Sequence, residues 1–324
     1  DKEAAKRQRQ AEEAGATVMP GVKVDGLIRE GSRFVGVRAG EDELRARAVV
    51  AADGVNSFIS RGAGIRAKEP MANLAVGVKS VIGLDEETIR GRFNLTGDEG
   101  AAYAVVGDCT EGVAGGGFMY TNRESVSIGI VARLDDLAKK GKSSSDLHDH
   151  FLSHPAIAPF LEGGELLEYG CHLVAEGGEK MQHDLVRDGL VVIGDAAGFT
   201  LNTGFTVRGM DLAAGSALAA AKAVGRALEA GDCGRTSLER YIEEYKSTFV
   251  GKDMSTYAKA PAFLENEEMY GQLGELLADV LHGVYNLDLT PRRHILPTAY
   301  GAFKASGLKI RRLARIGYQA VRAL

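Results

Sequence analysis

Apolar positions along this chain follow two rhythms, and the change between them marks out the elements. Leu190–Ile193 is a run of four apolar residues, stopped by Gly194-Asp195 and followed by the small residues Ala196, Ala197 and Gly198. A short run with no polar face predicts a parallel-type strand buried on both sides. Upstream, Val22–Arg29, Arg33–Ala39 and Glu43–Ala51 predict three short strands separated by Gly-containing turns. The last is broken at Asp53-Gly54, before a short helix that Asn56 or Ser57 is placed to cap. From about Met71 to Met181 the rhythm becomes alternating, in "LAVGVKSVIGL", "AAYAVVGD", "GGGFMYTN" and "SVSIGIVARL". These predict a mostly antiparallel sheet, interrupted by a helix over "SSSDLHDHFLSHPAIAPFLEGG".

Helical spacing dominates the rest. A long Gly- and Ala-rich helix is predicted from about Val207 to Ala230, stopped by Gly231, and "SLERYIEEYKSTFVGKDM" predicts another. The last seventy or so residues read as helices broken at Pro291 and Pro297. At the other end, "DKEAAKRQRQAEEAGA" favours helix, with Gly15 as its stop, but has no large apolar residue before Val18 and no initiator Met. It reads as a chain cut ahead of Asp1; the plainer alternative is a frayed, solvated terminal helix. Strands, then a sheet, then a buried strand with long helices give an α/β (α+β) class. The divisions expected are 1–70, 71–182, 183–255 and a basic helical region, 256–324.

Composition changes this picture in few places. With 324 residues, 45% of them hydrophobic, the chain can build cores for two domains. The net charge of −5 hides an asymmetry: Arg292, Arg293, Lys304, Lys309, Arg311, Arg312, Arg315 and Arg322 occupy residues 291–324, which contain no Asp or Glu. Within this tail Ile310, Leu313, Ile316, Ala320 and Leu324 fall at near-helical spacing, a basic amphipathic helix suited to an anionic membrane surface, to an acidic partner, or to packing on its own domain. Nucleic acid is excluded as a partner, because the basic residues lack interleaved aromatics and the body is acidic. Cys109, Cys171 and Cys233 form no CxxC pair, so they read as buried small hydrophobes rather than ligands of zinc or a cluster. His148, His150 and His154 lack a third ligand at metal spacing and read as a solvated helix face; no metal is expected. The absence of an apolar run approaching about 18–20 residues, and of a visible signal peptide, points to a cytoplasmic protein.

The candidate chemistry gathers at strand ends. A carboxylate at Asp195 can accept from polyol hydroxyls, and small residues after it leave room for a bulky ligand; an ordinary βα turn with Asp195 capping a helix is the alternative. Gly115-Gly116-Gly117 precedes a strand, suiting close approach of the backbone to a ligand or a tight turn or bulge. Phe118 and Tyr120 then line an apolar pocket or pack into a core. "HLVAEGG" places Gly177 and a neighbouring Gly beside Glu176, for flexibility or for a plain turn. Arg208, near the long helix, either stabilises an anion or makes a surface salt bridge.

"GLVVIGDAAGFTLNTGFTVRGMDLAAGSA" closely resembles the Gly-Asp flavin motif of the electron-transfer-flavoprotein:quinone oxidoreductase family, FixC type. The resemblance continues through "AADGVNSFIS", "AVGVKSVIGLDEETIRGRFNL", "VAGGGFMYTNRESVSIGIVARLDDL" and "HLVAEGG", nearly the whole chain. It implies a glutathione-reductase-type FAD-binding fold, N-terminally truncated, with an inserted, mostly antiparallel substrate domain. It further implies that Asp195 contacts the ribityl chain and that Gly194 and Ala196 lie near the pyrophosphate. Gly204, Phe205, Arg208, Asp53 and Gly54 complete the FAD set, while Gly116, Gly117, Phe118, Tyr120 and Gly177 border a quinone pocket. The implied reaction carries electrons from an electron-transfer flavoprotein through FAD to a membrane quinone, with a separate ferredoxin-like partner and a place on the inner face of the membrane. A geranylgeranyl-reductase-like or aromatic-hydroxylase-like flavoenzyme, or an inactive interaction module, are the rivals. One part is missing. The nearest thing to a GxGxxG fingerprint, Gly62-Ala63-Gly64-Ile65-Arg66-Ala67, follows a helix rather than a strand and is rejected. The chain is therefore expected to lack the strand beside which Leu190–Ile193 should lie, and to hold FAD poorly.

Overall fold

The computed structural model describes residues 2–182, 184–204, 206–287 and 289–324. Its largest sheet has five antiparallel strands, in spatial order Ala102–Val105, Gly115–Thr121, Ser125–Arg133, Leu74–Gly83 and Glu165–Ala175. The period-two pattern sets its faces. Val78, Ile82, Met119, Val126, Ile128 and Ile130 point to one side and are buried beneath helix Ser144–Ser153, which contributes Leu147 and Phe151. The opposite face carries Gly77, Lys79, Ser127 and Gly129 together with Phe118, Tyr120, Val131 and Val174.

A second core forms around Leu190–Val192, whose three residues are almost entirely buried. The strand runs parallel to Val49–Ala51, with Leu190 opposite Val49 and Val192 opposite Ala51, and antiparallel to Val186–Arg187. Both its edges are thus filled, which corrects the expectation that its neighbour is missing. The open edge belongs instead to Val49–Ala51: among the described residues nothing pairs with its far side, and Val50 is exposed. Helix Met210–Glu229 covers this core with one stripe, Leu212, Ala219, Ala220, Ala223 and Ala227. Small side chains along that stripe let the helix axis approach the strands closely.

Several boundaries differ from the sequence pattern, some because of local turns and one because of a contact distant in sequence. Glu43–Ala51 is two strands, Asp42–Arg45 and Val49–Ala51. The Ala46 N–H goes to Val35 O of the meander and the Val49 N–H to Gly189 O, so the chain changes sheets between them. The long helix starts at Met210 because Val207–Arg208 pairs with Leu201–Asn202 in a small hairpin. The predicted single helix after it is Arg240–Ser247 and Phe249–Thr256, broken at Thr248, whose Oγ1 accepts from Val250 N. Gly251 closes that corner: a methyl there would lie 2.4 Å from Lys246 Cα. Pro297 does not break a helix but sits in the first turn of Ile295–Ala305, where no intrahelical N–H is required.

The C-terminal helices are Gln272–Tyr285, Ile295–Ala305 and Ile310–Ala323. Ile316 and Ala323 of the last are buried against Phe263, so its apolar stripe packs on its own domain. No helix among the described residues is long and apolar enough to cross a membrane.

Candidate functional site

The strand Leu190–Val192 ends in a single tight turn, Gly194–Ala197. Gly194 has φ +60°, which a side chain would resist. Its N–H donates to Ser216 Oγ of the long helix at 3.0 Å, fixing helix to turn. Gly198, at φ +77°, closes the turn. The half-buried Asp195 carboxylate accepts no hydrogen bond among the described residues. Burial raises its pKa above the ordinary carboxylate value, opposed by the positive charges of His172 and Arg66. A methyl on Gly209, at the start of the long helix, would lie 3.8 Å from Asp195 Oδ1. The carboxylate therefore sits in the crevice between the strand end, the N-terminus of Met210–Glu229, and His172 on the open face of the large sheet.

The wall beside it is built around Arg66. Its guanidinium is buried and donates through Nη1 to Ala196 O at 2.6 Å, Ser57 Oγ at 2.7 Å and Asp195 O at 3.2 Å. Nε reaches Glu69 Oε1 at 2.9 Å, and Glu69 Oε2 accepts from Asn73 Nδ2 at 2.9 Å. One side chain thus ties the Asp53-Gly54 loop, the Gly-Asp turn and the start of the large sheet together. Sequence reasoning met Arg66 only inside the rejected Gly-Ala-Gly-Ile-Arg-Ala stretch. The signal it offered was an acid three residues on, at Glu69. Asp53, not Asn56 or Ser57, caps the short helix Phe58–Gly62, with Oδ2 accepting from Ile59 N at 2.8 Å. Gly54 supplies the turn at φ +72°. Asp53 Oδ1 and Arg66 Nη2 are buried with no partner among the described residues.

On the large sheet, Gly116, Phe118 and Tyr120 share the face turned away from helix Ser144–Ser153. Phe118 lies opposite Gly129, where a methyl would come within 2.5 Å of its ring, so the ring rests flat on the sheet. Tyr120 stacks against it at 6.0 Å between centroids. Gly117 points the other way, as strand alternation requires; a methyl there would lie 2.8 Å from the Phe151 ring, so this glycine makes room for helix Ser144–Ser153 rather than for a ligand. The buried Asp136 carboxylate accepts from Ala114 N at 2.7 Å and holds the start of the glycine strand. Burial alone would raise its pKa, but hydrogen bonds from Lys140 and Ala114 keep it below the ordinary value. Gly177 is also buried, its N–H directed at Met181 Sδ, and it lines no open space. Beside it, burial pushes the Glu176 carboxyl pKa upward, against a hydrogen bond from Asn202 at 3.1 Å.

The other described residues of the predicted FAD set already have partners within the chain. Arg208 is held by Asp211 at 2.6 Å and Asp253 at 2.7 Å, so its charge is already balanced. Gly204 turns the Leu201–Arg208 hairpin at φ +81°, against Leu264. Phe205 lies outside the described residues. Ala196 is buried, its carbonyl occupied by Arg66 and Ser57. His148 is no part of a solvated face: it is buried, bonded to Ser80 Oγ at 2.8 Å, and burial lowers its pKa so that it stays neutral. His150 pairs with Asp108 at 2.8 Å. Burial pushes the Cys109 thiol up to about 11, and Cys233 is buried too, but Cys171 is exposed on the edge strand. A surface groove of about 550 Å³ is lined by Glu86, Glu87, Arg90, Gly91 and Leu95, none of which belongs to the predicted FAD set.

A lone carboxylate at a strand end, orphaned buried polar atoms at Asp53 and Arg66, and a helix N-terminus facing the gap fit a sugar-phosphate ligand of the flavin-nucleotide kind. No family model matches the chain. It is 46% identical over 299 residues to the probable electron transfer flavoprotein-quinone oxidoreductase YdiS of Escherichia coli K12, covering 92% of this chain and 70% of that one. The chain belongs to the electron transfer flavoprotein-quinone oxidoreductase family. Protein FixC of the same strain is 42% identical over 279 residues, 86% of this chain and 65% of FixC, so the chain spans about two thirds of the length of such relatives. Among solved structures, a geranylgeranyl bacteriochlorophyll reductase-like protein from Thermoplasma acidophilum aligns with TM-score 0.65 and 21% identity, over 95% of this chain and 72% of that one. The flavin-dependent brominase Bmp2 aligns with TM-score 0.56 and 16% identity, over 97% and 73%. At these identities the likeness is one of fold: the α/β flavoprotein architecture that the family resemblance implies.

Proposed function

We propose that this member of the quinone oxidoreductase family is a flavoprotein that receives electrons from an electron-transfer flavoprotein and passes them through FAD to a quinone. The observation that carries the reading is Asp195, a half-buried carboxylate without a donor among the described residues, at the end of a buried strand and beside a helix N-terminus. FAD, when bound, supplies a redox centre that takes up and releases electrons singly or in pairs. The chain's own residues have separate tasks. Asp195 accepts from ribityl hydroxyls, which lowers its raised pKa by giving the anion hydrogen-bond donors. Arg66 holds the turn carrying Asp195 against the Asp53-Gly54 loop, so that both carboxylates face one ligand. Phe118, flat on Gly129 and backed by Tyr120, offers an apolar platform on which a quinone ring stacks. Gly116, named with them from the sequence, makes room for the Val105 carbonyl of the next strand rather than for the ring.

Residues 71–182 would act as the quinone domain, and residues 1–70 and 183–255 as parts of the FAD domain. A separate ferredoxin-like protein would mediate transfer, since the three cysteines lack cluster spacing. The setting is cytoplasmic, peripheral on the inner membrane, with the basic side of Ile310–Ala323 toward anionic lipid. FAD binding by these 324 residues alone would be weak, because no GxGxxG turn supplies the pyrophosphate cradle and the edge of Val49–Ala51 has room for a further parallel strand.

The test is to purify the chain with added FAD, record the flavin spectrum, and follow reduction by electron-transfer flavoprotein with a short-chain quinone present. Quinone-dependent reoxidation supports the reading. A flavin that hydroxylates an aromatic or saturates a prenyl chain instead contradicts it, as does a chain that shows no FAD binding at any concentration.

A further inference from the structure

Eight large apolar side chains stand in solvent on the hairpin made by helices Gln272–Tyr285 and Ile295–Ala305. At its tip Leu287 is 78% and Leu296 80% exposed, and Leu289 is wholly exposed. Tyr285, Ile295 and Tyr300 flank them at 76%, 65% and 68%. Leu277 and Leu281 continue the stripe along the first helix, roughly opposite its acidic residues Glu275 and Asp279. The tip is ordered by its own hydrogen bonds: Arg292 donates to Val284 O at 2.9 Å, satisfying a carbonyl at the helix end. The two helices meet at Gly283, where a methyl would come within 2.6 Å of Thr298. A protruding apolar patch of this extent marks an interaction surface. Its composition narrows the partner. Arg292 and Arg293 outnumber the one acidic residue of the segment, Asp288, which lies outside the described residues; Tyr285 and Tyr300 sit at its shoulders, and no acidic residue occurs from Leu289 to Leu324. Apolar residues at the end, tyrosines behind them and cations beside them match the layers of an anionic bilayer interface.

We infer that this hairpin tip, residues 285–296, is the element that enters the membrane, and that its occupant is an anionic lipid surface. The basic helix Ile310–Ala323 then has a lesser part, since its apolar stripe already packs on Phe263 and Arg312 pairs with Glu268. Electrostatic attraction brings the molecule to the surface, and the leucines hold it there. The inference sharpens the reading that electrons leave to a lipid-soluble acceptor, but its test needs no turnover, so either can fail without the other.

The chain contains no tryptophan, so Leu287→Trp in the full 324-residue chain gives a single reporter at the tip. With vesicles of phosphatidylcholine and phosphatidylglycerol, its emission should shift to the blue and be quenched by lipids brominated on their acyl chains. Binding should persist in part at high salt, which strips purely electrostatic contacts. Leu287→Ser, Leu289→Ser and Leu296→Ser together should lower vesicle partitioning at least about tenfold, with the melting curve of the chain unchanged. Emission unmoved by either lipid overturns the proposal, as does wild-type partitioning by the triple variant. Release complete in salt would assign binding to the basic helix alone. A blue shift that grows with protein concentration and without lipid would assign the patch to a second copy. A triple variant that melts early leaves the tryptophan reporter to decide.

Discussion

The Gly-Asp turn and the C-terminal hairpin solve opposite problems. Around Asp195 nearly every neighbour is small and the backbone is held in place: Ser216 holds Gly194, and Arg66 holds the Asp195 and Ala196 carbonyls. One charge is left without a donor among the described residues in an otherwise closed arrangement. At the hairpin the backbone is equally ordered, but large apolar side chains are left without cover. Unmet polar capacity points to a ligand with hydroxyls; unmet apolar area points to a lipid. In each region function is legible as what the fold declines to satisfy.

Substitutions should separate the two regions sharply. Arg66→Met removes the cation that faces the buried Glu69 carboxylate and the donor to the Asp195 and Ala196 carbonyls, and should cost about 3–5 kcal/mol in urea unfolding, enough to abolish flavin uptake as well. A loss below 1 kcal/mol would remove Arg66 from its central place. Gly117→Ala forces a methyl against the Phe151 ring and should cost about 1–3 kcal/mol, while the KM for quinone stays unchanged because that residue faces away from the crevice. A raised KM with unchanged stability would reverse that assignment.

At the small end lies Asp195→Asn. A carboxyl whose folded pKa is raised binds its proton more tightly when folded, so the wild-type chain without ligand is favoured at low pH. That advantage is lost as pH rises through the folded value. The asparagine variant should therefore melt at or above the wild-type temperature at neutral pH, with the difference vanishing on acidification. A neutral-pH melt clearly below wild type would mean that Asp195 has a structural partner. Smallest of all, Leu289→Ser at the hairpin should change folding stability by less than about 0.5 kcal/mol, although it weakens vesicle binding.

Much of this was readable from the residues because local pattern carried it. Leu190–Ile193 announces a strand buried on both faces, and the alternation in "SVSIGIVARL" fixes which side of the large sheet meets a helix. The resemblance located the crevice at Asp195. Part of what escaped depends on contacts made far along the chain. Arg66 acquires its role from carbonyls about 130 residues later. His148 turns inward because Ser80 lies beneath it on a strand 68 residues earlier. The break at Thr248 follows from Gly251 crossing Lys246, and the hairpin at Leu201–Arg208 from a turn built by Thr203 and Thr206, whose hydroxyls bond each other at 3.2 Å. Arg208 looked like a flavin partner only because Asp253, 45 residues on, is invisible to local reading.

The central claim is the proposal that the Asp195 carboxylate, without a donor among the described residues, is left so that a sugar-alcohol chain can provide one. FAD fluorescence titrations of the wild-type chain and of Asp195→Ala, at matched stability and neutral pH, test it most directly. Loss of a hydrogen bond to a charged acceptor should weaken binding by about 10–100-fold. Equal affinities in the two proteins would contradict the account.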